Sequence, residues 1–318
     1  MPESLGVLVV PETAFGTKFT DTLEIDQDAR LLYMGDRWSG GIDIFDIRDE
    51  KPTYLQTIKV RGATYGIAVA KSVNKIYVGL AGHTVSVIDI DPTSENLHKE
   101  ITRIDTGGLG NTDLIDFDPV HQKVYAGNPD DGFMVAIDGI TDEVVGRIEG
   151  LGNGLEQPRF NPVDGMVYLA GKDDNVLYQV DPATDKLLNT FDIVDACHPN
   201  GMAIDPATNQ AILASSNKEH PHAVIWDFTE QKVLTVIEDT GPGDGAAYVA
   251  SLDRFLFAAS GYPGGPVMGI IGGDPRHLIE NVPTKPGASW VAFDDVHRVV
   301  YAPAIESGRP ALLSFRLE

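Results

Sequence analysis

The 318-residue chain is short of cysteine, of basic side chains and of long hydrophobic runs. Its one cysteine, Cys197, excludes an intramolecular disulfide and any zinc site built from several cysteines. Lysine and arginine number 24 against 47 acidic residues, so the formal net charge is −23. Binding to nucleic-acid backbones or to anionic membranes requires basic patches. We therefore expect neither a nucleic-acid partner nor a membrane partner.

No part of the sequence approaches the roughly 18 consecutive apolar residues that a membrane-spanning helix needs. Residues 1–4 lack the basic segment and the long apolar run of a signal peptide. These two features favour a cytoplasmic protein, although a leader removed before residue 1 would leave no trace. Hydrophobic residues make up 42% of the chain and charged residues 22%, so the acidity does not indicate disorder. A monomer is consistent with the sequence, which does not decide the oligomeric state.

What the sequence does contain is a repeat. The run Phe117-Asp118-Pro119 followed by Val124-Tyr125 returns as Phe160-Asn161-Pro162 followed by Val167-Tyr168. One residue of the second run marks each of seven units: Tyr33, Tyr77, Tyr125, Tyr168, Ile212, Phe257 and Tyr301. A period of about 44 residues is typical of propeller blades made of four antiparallel strands. The sequence thus predicts an all-β, seven-bladed β-propeller that forms a single domain over residues 1–318.

The two ends of the chain are predicted to close the ring together. After Tyr301 only one strand-forming run remains, at residues 311–317, so blade seven lacks a strand. The apolar run at residues 6–10 is a spare strand. We expect it to complete blade seven and so to remove two exposed sheet edges. An open solenoid or a pair of β-sandwiches is the alternative.

Two segments carry a family resemblance. The sequences KIYVGLAGHTVSVIDIDPTSENL (residues 75–97) and MVYLAGKDDNVLYQVDPATDKLLNTFDI (residues 166–193) resemble the repeats of the YVTN family of seven-bladed propellers. Those repeats read V-Y-V-x-N, a spacer, then S-V-I-D-x-x-T. The likeness covers most of the chain and implies the fold. It leaves activity open, because related propellers include lactonases, lyases, surface proteins and interaction modules.

The start of each innermost strand is expected to face the central channel. Counting twelve residues back from each marker places the blade starts near residues 21, 65, 113, 156, 200, 245 and 289. The oxygen-bearing side chains expected at the axis are Asp21, Asp113, Glu156, Asn200 and Asp244. Clustered carboxylates repel one another unless a proton or a cation neutralises them. Ca²⁺ would suit these ligands best, with Mg²⁺ or Mn²⁺ also possible, whereas a water-filled channel with polar strand ends is the alternative.

A second resemblance concerns the same positions. GLEQPRF (residues 154–160) and HPNGMAIDP (residues 198–206) are similar to segments of the SMP-30/gluconolactonase family and its diisopropylfluorophosphatase relatives, which are calcium-dependent propeller hydrolases. In that family the P-N-G segment carries an Asn ligand of the axial ion, which implies this role for Asn200. The resemblance also implies Glu156 and Asp244 as ligands. It departs from the family in that Asp21 and Asp113 occupy the earlier blades, where the family has its Glu.

The loops on the same face supply candidate acid–base and binding groups. His198 lies two residues before Asn200, and His220 and His222 follow on a loop of the same blade. A neutral imidazole there would act as a general base near pH 7, and a solvated surface is the alternative. The side chains expected to contact a substrate are Arg37, Trp38, Tyr65, His83 and Tyr262. Cys197 is expected to be buried and inert.

Together these features favour a metal-dependent, lactonase-like hydrolase that acts on a small molecule at the central channel. The axial divalent cation would polarise a carbonyl group. A metal-assisted lyase is the close variant, because the same ion can stabilise an enolate. The alternative from another class is a non-catalytic propeller whose rim binds a protein or a small ligand through aromatic residues such as Trp38 and Tyr262.

Overall fold

The computed structural model describes residues 2–11 and 20–318. These residues form seven sheets, each of four antiparallel strands. The described helices are two short 3-10 turns, Lys71–Val73 and Val194–Ala196. No helix among the described residues is long and apolar enough to span a membrane. The innermost strands contact one another in sequence around the ring, including the first with the last. The predicted seven-bladed β-propeller is therefore confirmed.

The strands follow the chain from the innermost to the outermost position of each blade. After β1 (Glu3–Val9), blade one contains β2 (Thr20–Asp26), β3 (Leu31–Asp36), β4 (Gly41–Asp46) and β5 (Thr53–Lys59). Blade two contains β6 (Thr64–Ala70), β7 (Lys75–Leu80), β8 (Thr84–Asp89) and β9 (Glu100–Asp105). Blade three contains β10 (Ile115–Asp118), β11 (Lys123–Asn128), β12 (Phe133–Asp138) and β13 (Val144–Ile148).

The remaining blades repeat this order. Blade four contains β14 (Leu155–Phe160), β15 (Val167–Gly171), β16 (Val176–Asp181) and β17 (Lys186–Asp192). Blade five contains β18 (Pro199–Asp205), β19 (Gln210–Ser215), β20 (His222–Asp227) and β21 (Lys232–Glu238). Blade six contains β22 (Ala246–Val249), β23 (Arg254–Ala259), β24 (Val267–Gly272) and β25 (His277–Pro283). Blade seven contains β26 (Ala292–Asp294), β27 (Val299–Glu306) and β28 (Arg309–Arg316).

Strand β1 completes blade seven, as predicted. It lies antiparallel to β28 at the outer edge of the sheet, with Val7 opposite Leu313. The strand begins at Glu3 rather than at Gly6, because pairing continues through a β-bulge between Ser4 and Gly6. Blade seven is thus built from both ends of the chain, with β1 as its outermost strand.

The hydrophobic core is a series of layers between neighbouring blades. The middle strands are buried on both faces, as in β4, whereas the outermost β5 exposes much of its length. Tyr77 and Val87 of blade two, for example, pack with Ile115 and Val135 of blade three. Because each blade buries its faces against two neighbours, the core is continuous around the ring.

Two of the marker tyrosines also connect neighbouring blades by hydrogen bonds. The Tyr77 hydroxyl donates to Asp142 of blade three at 2.6 Å. The Tyr125 hydroxyl donates to Asp185 of blade four at 2.8 Å, and Lys123 pairs with the same carboxylate at 2.8 Å. A hydrogen bond that a charged group makes is stronger than a neutral one. In blades two and three the marker tyrosine therefore ties its blade to the next one as well as filling the core, whereas the Tyr168 hydroxyl donates to Asp164 of its own blade.

Candidate functional site

Four of the innermost strands carry a β-bulge near their start. The bulges lie between Thr20 and Leu23, Thr64 and Ile67, Leu155 and Pro158, and Pro199 and Met202. A bulge places two residues opposite one and redirects a side chain. Each of these bulges contains a residue that the repeat places at the axis: Asp21, Tyr65, Glu156 and Asn200. The bulge thus presents one polar residue per blade to the channel.

In blades three and six the axial residue lies in the loop that enters the strand. Backbone hydrogen bonds hold these loops against the preceding blade. The Gly66 N–H donates to the Asp113 carbonyl at 3.3 Å, and the Gly201 N–H donates to the Asp244 carbonyl at 2.8 Å. A Cβ atom on Gly201 would lie 2.0 Å from the Asp244 carbonyl oxygen, so only glycine permits this approach. We call the six residues Asp21, Tyr65, Asp113, Glu156, Asn200 and Asp244 the upper layer.

In the described part of the chain, two side-chain cations from neighbouring loops form ion pairs with the upper layer. Arg37 forms an ion pair with Asp21, donates from Nε to the Thr64 carbonyl at 2.7 Å, and lies 3.6 Å above the centre of the Tyr65 ring. Lys172 forms an ion pair with Glu156. Arg37 was predicted as a binding residue, whereas Lys172 was not among the predicted site residues. The repeat could have identified Lys172, because each cation comes four residues after a marker: Arg37 after Tyr33 and Lys172 after Tyr168.

The remaining members of the layer differ in their partners. The Asn200 amide donates to the Asp244 carboxylate at 3.0 Å. The Asp113 carboxylate accepts no hydrogen bond from a residue that the structure describes. If all groups were ionised, the four carboxylates would exceed the two cations and leave the layer negative. The structure thus brings together all five side chains that the sequence analysis placed at the axis.

Burial changes the acidity of these carboxyl groups. It raises the pKa of Asp21 to about 6, an increase that Arg37 opposes and Asp244 reinforces. It raises the pKa of Glu156 to about 7 against the effect of Lys172. The pKa of Asp113 lies well above its ordinary range because of burial and the nearby Glu156 and Asp21, and burial also raises the pKa of Asp244. The upper layer therefore holds both proton donors and proton acceptors near neutral pH.

The three histidines occupy different positions. The His198 ring contacts the Lys172 carbonyl through Nδ1 at 2.9 Å, which places it beside the upper layer. His222 is buried in β20, and its Nδ1 lies 2.5 Å from the His220 carbonyl. His220 is exposed on the loop. Among the described residues no hydrogen bond joins His198 to His220 or His222. His198 contacts Lys172, which pairs with Glu156 of the upper layer.

The other predicted binding residues line the loops farther out. Trp38 is half-buried, and its backbone N–H donates to the Asp36 carboxylate at 2.7 Å. The His83 carbonyl accepts hydrogen bonds from Thr106, and the buried Nδ1 of its ring has no hydrogen-bond partner within residues 2–11 and 20–318. Tyr262 packs against the core of blades five and six. Cys197 is buried, as predicted.

A divalent cation at the upper layer would compete with side chains that already pair with its carboxylates. The oxygen donors are of the kind that hard cations prefer. However, Lys172 and Arg37 already neutralise two carboxylates, and Asn200 directs its amide nitrogen toward Asp244. Within residues 2–11 and 20–318, no group of three or more histidine, cysteine, aspartate or glutamate side chains is placed to hold a metal ion. The axial cation therefore stays a prediction.

Comparison with known proteins supports the fold. No protein-family model matches the chain. No curated protein sequence matches it either. Among solved structures, the chain is similar to Kuenenia stuttgartiensis hydrazine synthase, with a TM-score of 0.75 over 97% of each chain and 16% sequence identity. At that identity the likeness shows the propeller fold alone. The resemblances to the YVTN and SMP-30/gluconolactonase families remain predictions.

Proposed function

We propose that the upper layer is an acid–base site for a small carbonyl compound, and that the protein is a hydrolase of lactones or related esters. The observation that supports this proposal is the pairing of raised-pKa carboxyl groups with side-chain cations at one mouth of the channel. Glu156 has a pKa of about 7 and contacts Lys172, and Asp21 has a pKa of about 6 and contacts Arg37. A group whose pKa lies near the working pH is an efficient general acid or base.

Each group has a role in this reaction. Glu156 accepts a proton from the water that attacks the carbonyl carbon. Arg37 and Lys172 stabilise the negative charge that develops on the carbonyl oxygen. When the ring C–O bond breaks, the leaving alkoxide takes a proton from a carboxylic acid of the layer, for which Asp113 is suited by its raised pKa. A lyase is the variant, in which Glu156 removes a proton next to a carbonyl group instead.

A divalent cation at the axis is the second candidate for the source of activity. The excess of carboxylates, together with an Asp113 carboxylate that has no hydrogen-bond partner among the described residues, favours it. Binding would require Lys172 to leave Glu156. Rim binding without catalysis stays a prediction based on Trp38 and Tyr262.

The proposal is tested by measuring hydrolysis of a panel of γ-lactones, δ-lactones and aryl esters with protein that has been dialysed against EDTA. We expect turnover of at least one lactone, reduced about 100-fold or more in Glu156→Gln, because general acid–base catalysis contributes on that order. Glu143→Gln changes an exposed turn residue and serves as the matched control.

Three outcomes separate the candidates. Turnover that appears only after Ca²⁺ or Mn²⁺ is added would replace the acid–base proposal by the cation-dependent one. Turnover that is equal in the wild type and in Glu156→Gln would exclude the assigned base. If no lactone or ester is turned over, with or without added cations, the hydrolase proposal is wrong.

A further inference from the structure

A second polar layer lies deeper in the same channel. It consists of Glu24, Asp116 and Arg159, each three residues after a member of the upper layer. Three residues of a strand rise roughly 10 Å, and Glu24, Asp116 and Arg159 line one cavity at that distance along their strands. Arg159 opposes the increase in the pKa of Glu24, while Asp116 adds to it, which shows that the three groups act on one another. We call them the lower layer.

The lower layer lines two adjoining cavities. One has a volume of about 440 Å³ and is bounded by Glu24, Asp116 and Arg159 together with aromatic side chains, among them Phe160, Tyr248 and Trp290. The other has a volume of about 490 Å³ and shares Glu24 and Asp116. Cavities of this size accept a small organic molecule.

The hydrogen bonds of the lower layer leave one group without a partner among the described residues. Arg159 donates to the Asp116 carboxylate at 3.0 Å and to the Met202 carbonyl at 3.0 Å. Asp116 also accepts the Phe160 N–H at 2.8 Å. The Glu24 carboxylate, by contrast, accepts no hydrogen bond from a described residue. With Asp116 and Arg159 neutralising each other, an ionised Glu24 gives the lower layer one uncompensated negative charge.

Among the residues that the structure describes, the charged groups lining the two cavities do not supply the missing cation. The other charged or titratable groups that line the two cavities are Asp116, Arg159, Lys71 and Tyr248. Lys71 forms an ion pair with Asp26 at 2.6 Å. Tyr248 donates to Asp253 at 3.1 Å. A ligand is therefore the natural source of positive charge beside Glu24.

We propose that the lower layer binds a small organic ammonium with an apolar body. The ammonium group would form an ion pair with Glu24, and the apolar part would pack on Phe160, Tyr248 and Trp290. Aromatic faces attract cations, which favours an ammonium over a carboxylate at this mouth. Arg159 does not act as an anion site, because Asp116 and the Met202 carbonyl engage its guanidinium. The site is distinct from the upper layer and does not depend on its activity.

The acidity of Glu24 gives binding a characteristic pH dependence. Burial raises the pKa of Glu24 to about 7. A primary ammonium keeps its proton at pH 6 and at pH 8, whereas Glu24 is largely protonated at pH 6 and largely ionised at pH 8. Affinity should therefore be about tenfold higher at pH 8 than at pH 6, which is the ratio of the ionised fractions for a group of that pKa.

Isothermal titration of the full chain with benzylammonium, benzyl alcohol and benzoate tests the proposal. We expect benzylammonium to bind more tightly than the other two and to bind about tenfold more tightly at pH 8 than at pH 6. We also expect it to lose about tenfold or more in affinity in Glu24→Gln. Glu143→Gln, which alters an exposed carboxylate, should leave binding unchanged. Thermal melting of each variant shows whether it is folded.

The result that would overturn the proposal is equally defined. Tighter binding of benzoate, or equal binding of benzyl alcohol, would exclude recognition of a cation. A loss of binding in Glu156→Gln with none in Glu24→Gln would place the ammonium at the upper layer instead. An unchanged affinity in folded Glu24→Gln, or no binding of benzylammonium at either pH, would also contradict the proposal.

Discussion

At the scale of single residues, the channel keeps carboxyl groups in an environment that favours their neutral form. Burial is the first cause of the raised pKa of Asp21, Glu24 and Glu156. A group with a raised pKa in the folded state stabilises the fold at low pH. That contribution is lost as the pH rises through the folded-state pKa. The same residues to which we assign roles in the channel therefore make the fold less stable above neutral pH.

Glu24 is the best residue for testing this effect, because its substitution removes no hydrogen bond to a described partner. Its pKa rises from 4.5 to about 7, so its stabilising contribution is present below about pH 4.5 and is lost by about pH 8. We expect the free energy of unfolding of Glu24→Gln, relative to wild type, to rise by on the order of 2 kcal/mol between pH 5 and pH 8. Urea denaturation at the two pH values measures the difference. Equal differences at both pH values, as expected for Glu143→Gln, would contradict the assignment.

The sequence predicted the upper layer because the repeat fixes the position of each axial residue. Asp21, Glu156 and Asn200 follow from the register alone. The contacts of Lys172 and Arg37 did not follow, because the direction of a loop side chain depends on its surroundings. Glu24 and Arg159 were not recognised as channel residues, although the register that selects Asp21 and Glu156 also selects the residues three positions later.

At the scale of strands and loops, the site depends on close backbone contacts between neighbouring inner strands. The Gly201 N–H bonds the Asp244 carbonyl, and the Gly245 N–H bonds the Ser289 carbonyl at 2.8 Å. These contacts hold Asn200 and Asp244 at hydrogen-bonding distance across two blades. β-Bulges and such contacts leave little trace in a sequence beyond a glycine, which is why the positions were predictable and their geometry was not.

Gly201→Ala tests the importance of this contact. A Cβ at this position would lie 2.0 Å from the Asp244 carbonyl oxygen, so we expect the free energy of unfolding to fall by roughly 1–3 kcal/mol as the strands separate. Gly127→Ala is the matched control, since its Cβ would come no nearer than 3.6 Å to another atom. Chemical denaturation compares the two. A Gly201→Ala variant as stable as Gly127→Ala would show that the strands do not need this close approach.

At the scale of the whole molecule, the sequence predicted the number of blades, the closure of the ring and the scarcity of helix. These follow from the marker period and from the spare strand that became β1. The inner strands of blades three and seven begin later than predicted, at Ile115 and Ala292. The loops that enter them carry Asp113 and Ser289 instead, held by backbone bonds from the preceding blade. The channel thus combines a predictable ring with a lining whose charge balance depends on inter-blade contacts.

The measurement that tests the account most directly is a ¹³C NMR titration of the side-chain carboxyl groups, assigned with Asp21→Asn and Glu156→Gln. The account predicts that channel resonances titrate with apparent pKa values of about 6 and about 7 and disappear from the spectra of these variants. Titration of both groups near 4, the range of exposed carboxyls, would contradict the claim that the upper layer holds protons at neutral pH.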